Sequence, residues 1–291
     1  MTDKEQGNPA IRDEELRRLL PHVSAVGRTA GALIMGFYNE AAQPETFVKD
    51  DGSPVTHADY ESNILIEGRL AHITPGITVI SEENDALTDM TGLYWVVDPL
   101  DGTKEFIGKT GGFAVKIALM DGREPVLGVV YAPAFDTLYC GLRDGLATRQ
   151  TGTASPLSLE TRTYSQGDIR TLFNAAHADR YLYDRHRLTL IQKGVVLPAA
   201  PDSVPHLPRN LRVAEGLADI HLATGYDPSF MQGGGYIWDN ATDYLILKNA
   251  GGEMRRLIDG ALLTFDTQRE MMPSYAAIGD KRLGITFFPE L

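Results

Sequence analysis

Apolar side chains recur at three- and four-residue steps through Leu16, Leu19, Leu20, Val23, Val26, Ala30, Leu33, Ile34 and Phe37, with charged and small residues between them. That period predicts one long amphipathic helix over 11–39. A second helix is expected to open at Thr56-His57-Ala58-Asp59 and run to about Ala71, with Ile64, Leu65, Gly68 and Leu70 on its apolar face. Between the two, 46–49 reads as a short strand and Lys49-Asp50-Asp51-Gly52-Ser53-Pro54 as a turn. Shorter, denser apolar runs follow. Those at 77–80 and 93–97 predict strands that stop at Ser81-Glu82-Glu83 and at Asp98-Pro99, because proline has no N–H for a ladder. Runs at 113–120, 126–131 and 137–140 predict a meander turned by Asp121-Gly122 and Pro133.

The rhythm then changes. Residues 144–168 are rich in Thr, Ser and Gly, which makes them the best boundary between lobes. Beyond them, expected strands at 171–175, 195–197, 219–222, after Gly252 and at 275–278 alternate with expected helices at 178–190, 207–215 and 236–249. The pattern predicts an α/β (α+β) protein. A lobe over 12–150 sets helices on a largely antiparallel sheet, a smaller α/β lobe follows over 151–291, and 1–11 form a polar tail.

Composition narrows the class. The chain of 291 residues is 43% hydrophobic and 23% charged, as for an ordinary soluble globular protein. Its 39 acidic and 27 basic residues give a net charge of −12, and no run of Lys or Arg exceeds two. Both features oppose a nucleic-acid partner. A single cysteine, Cys140, allows no internal disulfide and no thiolate metal site. No stretch reaches the ~18 apolar residues of a membrane span, and the first residues lack an apolar signal core. These features predict a cytoplasmic protein with no membrane partner.

The candidate chemistry lies in Trp95-Val96-Val97-Asp98-Pro99-Leu100-Asp101-Gly102-Thr103, where an apolar run drives two carboxylates, three apart, into a tight turn. Asp98, Asp101 and the Leu100 carbonyl make a hard-oxygen set suited to Mg²⁺. Glu82 and Glu83, Asp59 and Asp239 sit at comparable strand or helix ends. Each alone has a plain structural reading as a turn residue, a solvated pair or a helix N-terminal charge. Together they point to a shared cation site, and two such ions can clamp the attacking and leaving oxygens of a phosphoryl transfer.

Ser53-Pro54-Val55-Thr56-His57-Ala58-Asp59, Ser81-Glu82-Glu83, the Trp95–Thr103 segment and Trp238-Asp239-Asn240-Ala241 resemble, in order and spacing, the inositol monophosphatase superfamily. Lys104-Glu105-Phe106 after the Asp98 motif, and Gly128-Val129-Val130-Tyr131-Ala132-Pro133, look most like its 3′(2′),5′-bisphosphate nucleotidase branch. The resemblance implies a layered αβαβα fold and a lithium-sensitive phosphatase using two or three Mg²⁺ ions, with Mn²⁺ as an alternative. It implies that Glu82, Asp98 and the Leu100 carbonyl hold one metal, and that Asp98, Asp101 and Asp239 hold a second. Thr103 and Asp59, with Glu82, would activate water, and the Gly102 and Thr103 amides would bind phosphate oxygens. Its members occur as monomers and dimers.

Two departures fall where the substrate is chosen. Asp243 stands where relatives carry a small residue, and Pro205-His206-Leu207-Pro208-Arg209 replaces a Gly-Ser-Ser/Ala-x-Lys stretch. Arg209 is then the candidate phosphate clamp. Gly233-Gly234-Gly235 reads either as a close-approach loop or as a connector. The expected substrate is a small phosphorylated metabolite: adenosine 3′,5′-bisphosphate or its sulfated relative. An inositol or sugar phosphate on the same core, and an inactive phospholigand-binding relative, are the alternatives.

Overall fold

The computed structural model describes residues 11–40, 45–49, 54–163, 170–173, 208–223 and 233–283. Helix α1 (Asp13–Tyr38) forms where the first apolar period runs and buries Leu16, Val23, Val26, Ala30 and Ile34. Asp13, Glu14 and Glu15 occupy its first turn, where negative charge complements the helix dipole. Helix α2 (His57–Ile73) starts at a reciprocal cap: the Thr56 hydroxyl accepts from the Ala58 N–H, and the Asp59 carboxylate accepts from the Thr56 N–H at 2.8 Å.

The buried face of α2 differs from the expected one. Ala58, Asp59, Ser62, Asn63, Ile66 and Leu70 are inside, while Ile64 and Gly68 are exposed. Polar side chains hold the inner face because each is paired. Ser62 Oγ donates to the Pro99 carbonyl at 2.9 Å, and Ser81 Oγ donates to Asn63 Oδ1 at 2.6 Å. The helix turns its chemistry inward, so a count of apolar residues misplaces its face.

Strands β1 (Thr46–Val48) and β2 (Pro54–Thr56) make a small antiparallel ribbon. Strands β3 (Thr78–Ser81), β4 (Leu93–Asp101), β5 (Ala114–Asp121), β6 (Glu124–Ala132), β7 (Thr137–Leu142), β8 (Ala147–Thr151) and β9 (Leu157–Ser158) form a seven-stranded sheet in chain order. Within it β3 and β4 run parallel and the other pairs antiparallel. Trp95, Val97, Val115, Ile117 and Leu119 pack in one core with α1 and α2. The alternate residues Tyr94, Val96, Ala114, Ala118 and Met120 pack in a second. Cover on both faces explains why these strands read as continuous apolar runs. Strand β4 does not stop at Asp98-Pro99 but continues to Asp101, with an irregularity between Asp98 and Asp101. A bulge tolerates the missing proline N–H, so the strand is longer than expected and Asp98 lies within it. Strands β8 and β9 carry the large sheet across residue 150, where the lobe boundary was expected.

Strands β10 (Thr171–Phe173), β11 (Ile220–Ala223), β12 (Glu253–Arg256) and β13 (Tyr275–Ile278) form a second, mixed sheet in the order β10-β11-β13-β12. Helix α3 (Thr103–Ile107) directly follows β4, while α4 (Arg209–Ala214) and α5 (Ile237–Asn249) share the second core with both sheets. Among the described residues, helices, large sheet, helices and small sheet follow one another as layers of a mixed α/β protein, in the order expected for the αβαβα fold. The helix expected at 178–190 and the strand at 195–197 lie outside the described residues, as does the 1–10 part of the tail. Among the described residues, no helix is long and apolar enough to cross a membrane.

Candidate active site

The C-terminal end of β4 meets the first turn of α5. Asp98 is 1% exposed, and its Oδ1 accepts from the Leu100 N–H at 3.0 Å, which shapes the bulge. Asp101 closes the strand. Asp239, in the first turn of α5, accepts from the Tyr236 N–H at 2.5 Å. One carboxylate oxygen from each of Asp98, Asp101 and Asp239 lies within 4.8 Å of the others. Gly235, at φ 76°, makes this possible, since a Cβ there would stand 2.6 Å from the Asp239 carboxylate. The glycine run is thus a close-approach loop at this position.

Removal from water, then Glu82, Asp101 and Asp239, push the Asp98 carboxyl well above its usual range. Removal from water and Asp101 push Asp239 up to about 7. Converging carboxylates that resist ionisation together are short of positive charge. The donors are all oxygen, so the site fits a hard divalent cation.

Glu82 follows β3, as expected, but lies outside that group of three. Its Oε1 sits 2.6 Å from Lys49 Nζ, and Glu83 Oε1 sits 2.5 Å from the same ammonium. Burial, partly offset by Lys49, raises Glu82, and Glu83 is pushed up to about 7. Thr103 Oγ1 donates to Asp59 Oδ1 at 3.1 Å and reaches the Leu100 carbonyl at 3.4 Å. Asp59 Oδ2 is engaged by the Thr56 N–H and by the Thr56 hydroxyl at 2.6 Å. Burial raises the Asp59 carboxyl against these bonds. Gly102, at φ 92°, turns the chain into α3, and a Cβ there would stand 2.7 Å from the Gly112 carbonyl.

A cavity of about 380 Å³ extends from this end, with Asp101, Gly102, Asp239, Lys116, Arg209 and His221 on its wall. Asp98, Glu82, Asp59, Thr103 and Leu100 stand outside that lining. Pro205, His206 and Leu207 lie outside the described residues. Lys116 was not legible as a site residue. It is 3% exposed, and its ammonium meets Asp101 Oδ2 at 2.9 Å, the Asp239 carbonyl at 2.6 Å and Asp243 Oδ2 at 3.3 Å. Asp243 therefore faces neither solvent nor substrate alone, but pairs with a buried lysine. The available signal was a lone charge inside the apolar strand Ala114-Val115-Lys116-Ile117-Ala118. Lys49 and His221 were missed too, the first because it falls in a turn cluster.

The inositol monophosphatase family model matches residues 15–281. The 3′(2′),5′-bisphosphate nucleotidase CysQ of Buchnera aphidicola is 32% identical over 252 residues, covering 84% of this chain and 87% of that one. The CysQ of Escherichia coli K12 is 31% identical, covering 81% and 89%. Among solved structures, the extragenic suppressor protein suhB of Bartonella henselae superposes with a TM-score of 0.73 at 20% identity, covering 94% and 97%. CysQ of Bacteroides thetaiotaomicron superposes at 0.68 with 23% identity, covering 90% and 97%. The family is made up of phosphatases, and its enzymes depend on metal. With a match over almost its whole length and an acidic cluster that suits a divalent cation, this chain belongs to the inositol monophosphatase family.

Proposed function

We propose that this phosphatase removes the 3′-phosphate of adenosine 3′,5′-bisphosphate or its sulfated relative, using Mg²⁺ held at Asp98, Asp101 and Asp239. The cluster of three carboxylate oxygens within 4.8 Å carries the reading. The nucleotidases at 31–32% identity favour the nucleotide. A divalent cation bound there lowers the pKa of a coordinated water and offsets phosphate charge.

The chain's own groups do the positioning. Thr103 Oγ1 gives its proton to the bond with Asp59, which turns its lone pairs toward a water and orients that water for attack on phosphorus. Asp59 is the final proton acceptor, with Glu82 assisting from the end of β3. The Gly102 and Thr103 amides open α3 and so lack helical acceptors, which leaves them for phosphate oxygens. Lys116 holds Asp101 and the Asp239 carbonyl in register. Arg209, on the cavity wall, takes a second phosphate.

Phosphate release in Mg²⁺, with and without Li⁺, tests the reading on adenosine 3′,5′-bisphosphate, inositol 1-phosphate and fructose 1,6-bisphosphate. The expected result is lithium-sensitive preference for the nucleotide. Preference for the polyol or sugar ester would assign the pocket to that class instead. No release from any ester would contradict the enzymatic reading.

A further inference from the structure

His221 lies on β11 on the wall of the cavity, 5% exposed, and neither the carboxylate cluster nor the proposed water activation uses it. Its Nε2 is buried and has no hydrogen-bond partner. A chain of directed hydrogen bonds fixes what that atom offers. Asn240 Nδ2 donates to the Gly234 carbonyl at 2.6 Å and to the Tyr236 carbonyl at 2.8 Å. Carbonyls only accept, so Asn240 Oδ1 faces the other way and takes the Tyr275 hydroxyl proton at 2.6 Å. With its proton committed, the Tyr275 oxygen accepts from Asn210 Nδ2 at 2.8 Å, and the same amide nitrogen donates to Asp243 Oδ2 at 3.1 Å. Asn210 Oδ1 is therefore the acceptor facing His221 Nδ1 at 2.7 Å. Nδ1 carries the proton, and Nε2 presents a lone pair. Burial and the nearby Arg209 and Lys116 cations keep the ring neutral, with its pKa pushed down to about 3.

An unmet acceptor in a buried wall disfavours most ligand groups. A phosphate dianion has only acceptors to bring, an alkyl group leaves the lone pair unpaired, and an ammonium is opposed by Arg209 and Lys116. A neutral hydroxyl satisfies it. His221, Asn210, Asp243, Lys116 and Asp101 all line this one cavity, joined in sequence by hydrogen bonds and ion pairs.

We infer that His221 Nε2 accepts a hydrogen bond from a hydroxyl on the sugar or polyol that bears the phosphate, and selects such esters over their deoxy counterparts. The inference rests on the reading of this cavity as a phosphate-ester site. It adds a specificity residue for the organic half of the substrate, whichever of the two alcohol classes supplies the hydroxyl.

Two-bond ¹H–¹⁵N spectra of the wild-type protein labelled at histidine test it directly. In the free protein, His221 Nε2 is expected to be unprotonated and Nδ1 protonated from pH 5 to 8. With Ca²⁺ replacing Mg²⁺ to slow turnover, the Nε2 resonance should move on adding adenosine 3′,5′-bisphosphate or inositol 1-phosphate, and should stay in place with inorganic phosphate. A protonated Nε2 in the free protein, or a resonance that neither ester moves, overturns the inference. If it moves while no ester is hydrolysed, the hydrolytic reading fails and the hydroxyl acceptor stands.

Kinetics supply the second arm. His221→Leu should lower kcat/KM for adenosine 3′,5′-bisphosphate by about 10- to 100-fold, mainly through KM. The loss should shrink to within about threefold for 2′-deoxyadenosine 3′,5′-bisphosphate, and His221→Gln should recover part of it. Equal losses on both nucleotides would overturn the assignment to a hydroxyl.

Discussion

Burying an imidazole without its proton ties stability to pH, and His221 is such a residue. Its folded pKa of about 3 lies below the usual value of 6.5. The unfolded chain therefore binds the proton first. Stability from the neutral ring is fully present above pH 6.5 and declines as pH falls toward 3, by up to about 1.4 kcal/mol per pH unit. Unfolding midpoints measured from pH 7 to pH 4 should drop more steeply for wild type than for His221→Leu; parallel slopes would contradict the buried neutral ring. His221 was hidden in the sequence because Ile220-His221-Leu222-Ala223 reads as a strand with one polar position, and a polar position in a strand ordinarily faces water. Here both faces are covered, so the odd residue is forced inward. Lys116 follows the same rule within β5. Asp98 and Asp101 were legible because a tight Asp-Pro-Leu-Asp-Gly turn constrains the backbone and the acids together.

At the scale of elements, the turn from β4 into α3 carries the site. Gly102 is held at φ 92° against the Gly112 carbonyl, and Thr103 follows it immediately. Gly102→Ala is expected to cost about 1–2 kcal/mol for the left-handed backbone, and more for the close contact. Displacing Thr103 by even 1 Å should lower turnover by about 100-fold. Paired measurement of unfolding and phosphate release checks both. Activity within twofold of wild type would mean that this turn does not set the geometry. The same turn explains the misread strand end. Proline was expected to stop β4, but the bulge resumes pairing at Asp101, and bulges leave no signature beyond the proline itself. The inner face of α2 was misread for a related reason: Ser62 and Asn63 are buried because their partners sit on β3 and β4, far along the chain.

For the molecule as a whole, acidic charge gathers where two sheets and their shared helices meet. The fold concentrates Asp98, Asp101 and Asp239 in partial burial with Lys116 as counter-charge. A ligand that binds only the folded state stabilises it, by about 2.7 kcal/mol at one hundred times its dissociation constant. Saturating Mg²⁺ should therefore raise the unfolding midpoint by several degrees over protein in EDTA, and Asp98→Asn should flatten that response. A midpoint indifferent to Mg²⁺ would argue against a cation at the cluster. Helices packed on a largely antiparallel sheet were foreseeable from helical periods followed by dense strand runs, whereas the full order of layers came from the family resemblance. The extent of the large sheet was not, because β8 and β9 are short and polar and owe their pairing to neighbours already in place.

The central claim is that Asp98, Asp101 and Asp239 hold the cation on which phosphate-ester hydrolysis depends. Phosphate release from adenosine 3′,5′-bisphosphate, followed against Mg²⁺ concentration for wild type and Asp98→Asn, tests it most directly. Wild type should show saturable dependence on Mg²⁺, and the variant should fall by at least about 100-fold, the scale of losing one electrostatic group at a reacting centre, while unfolding cooperatively. Comparable release from the two proteins across the titration would contradict the account.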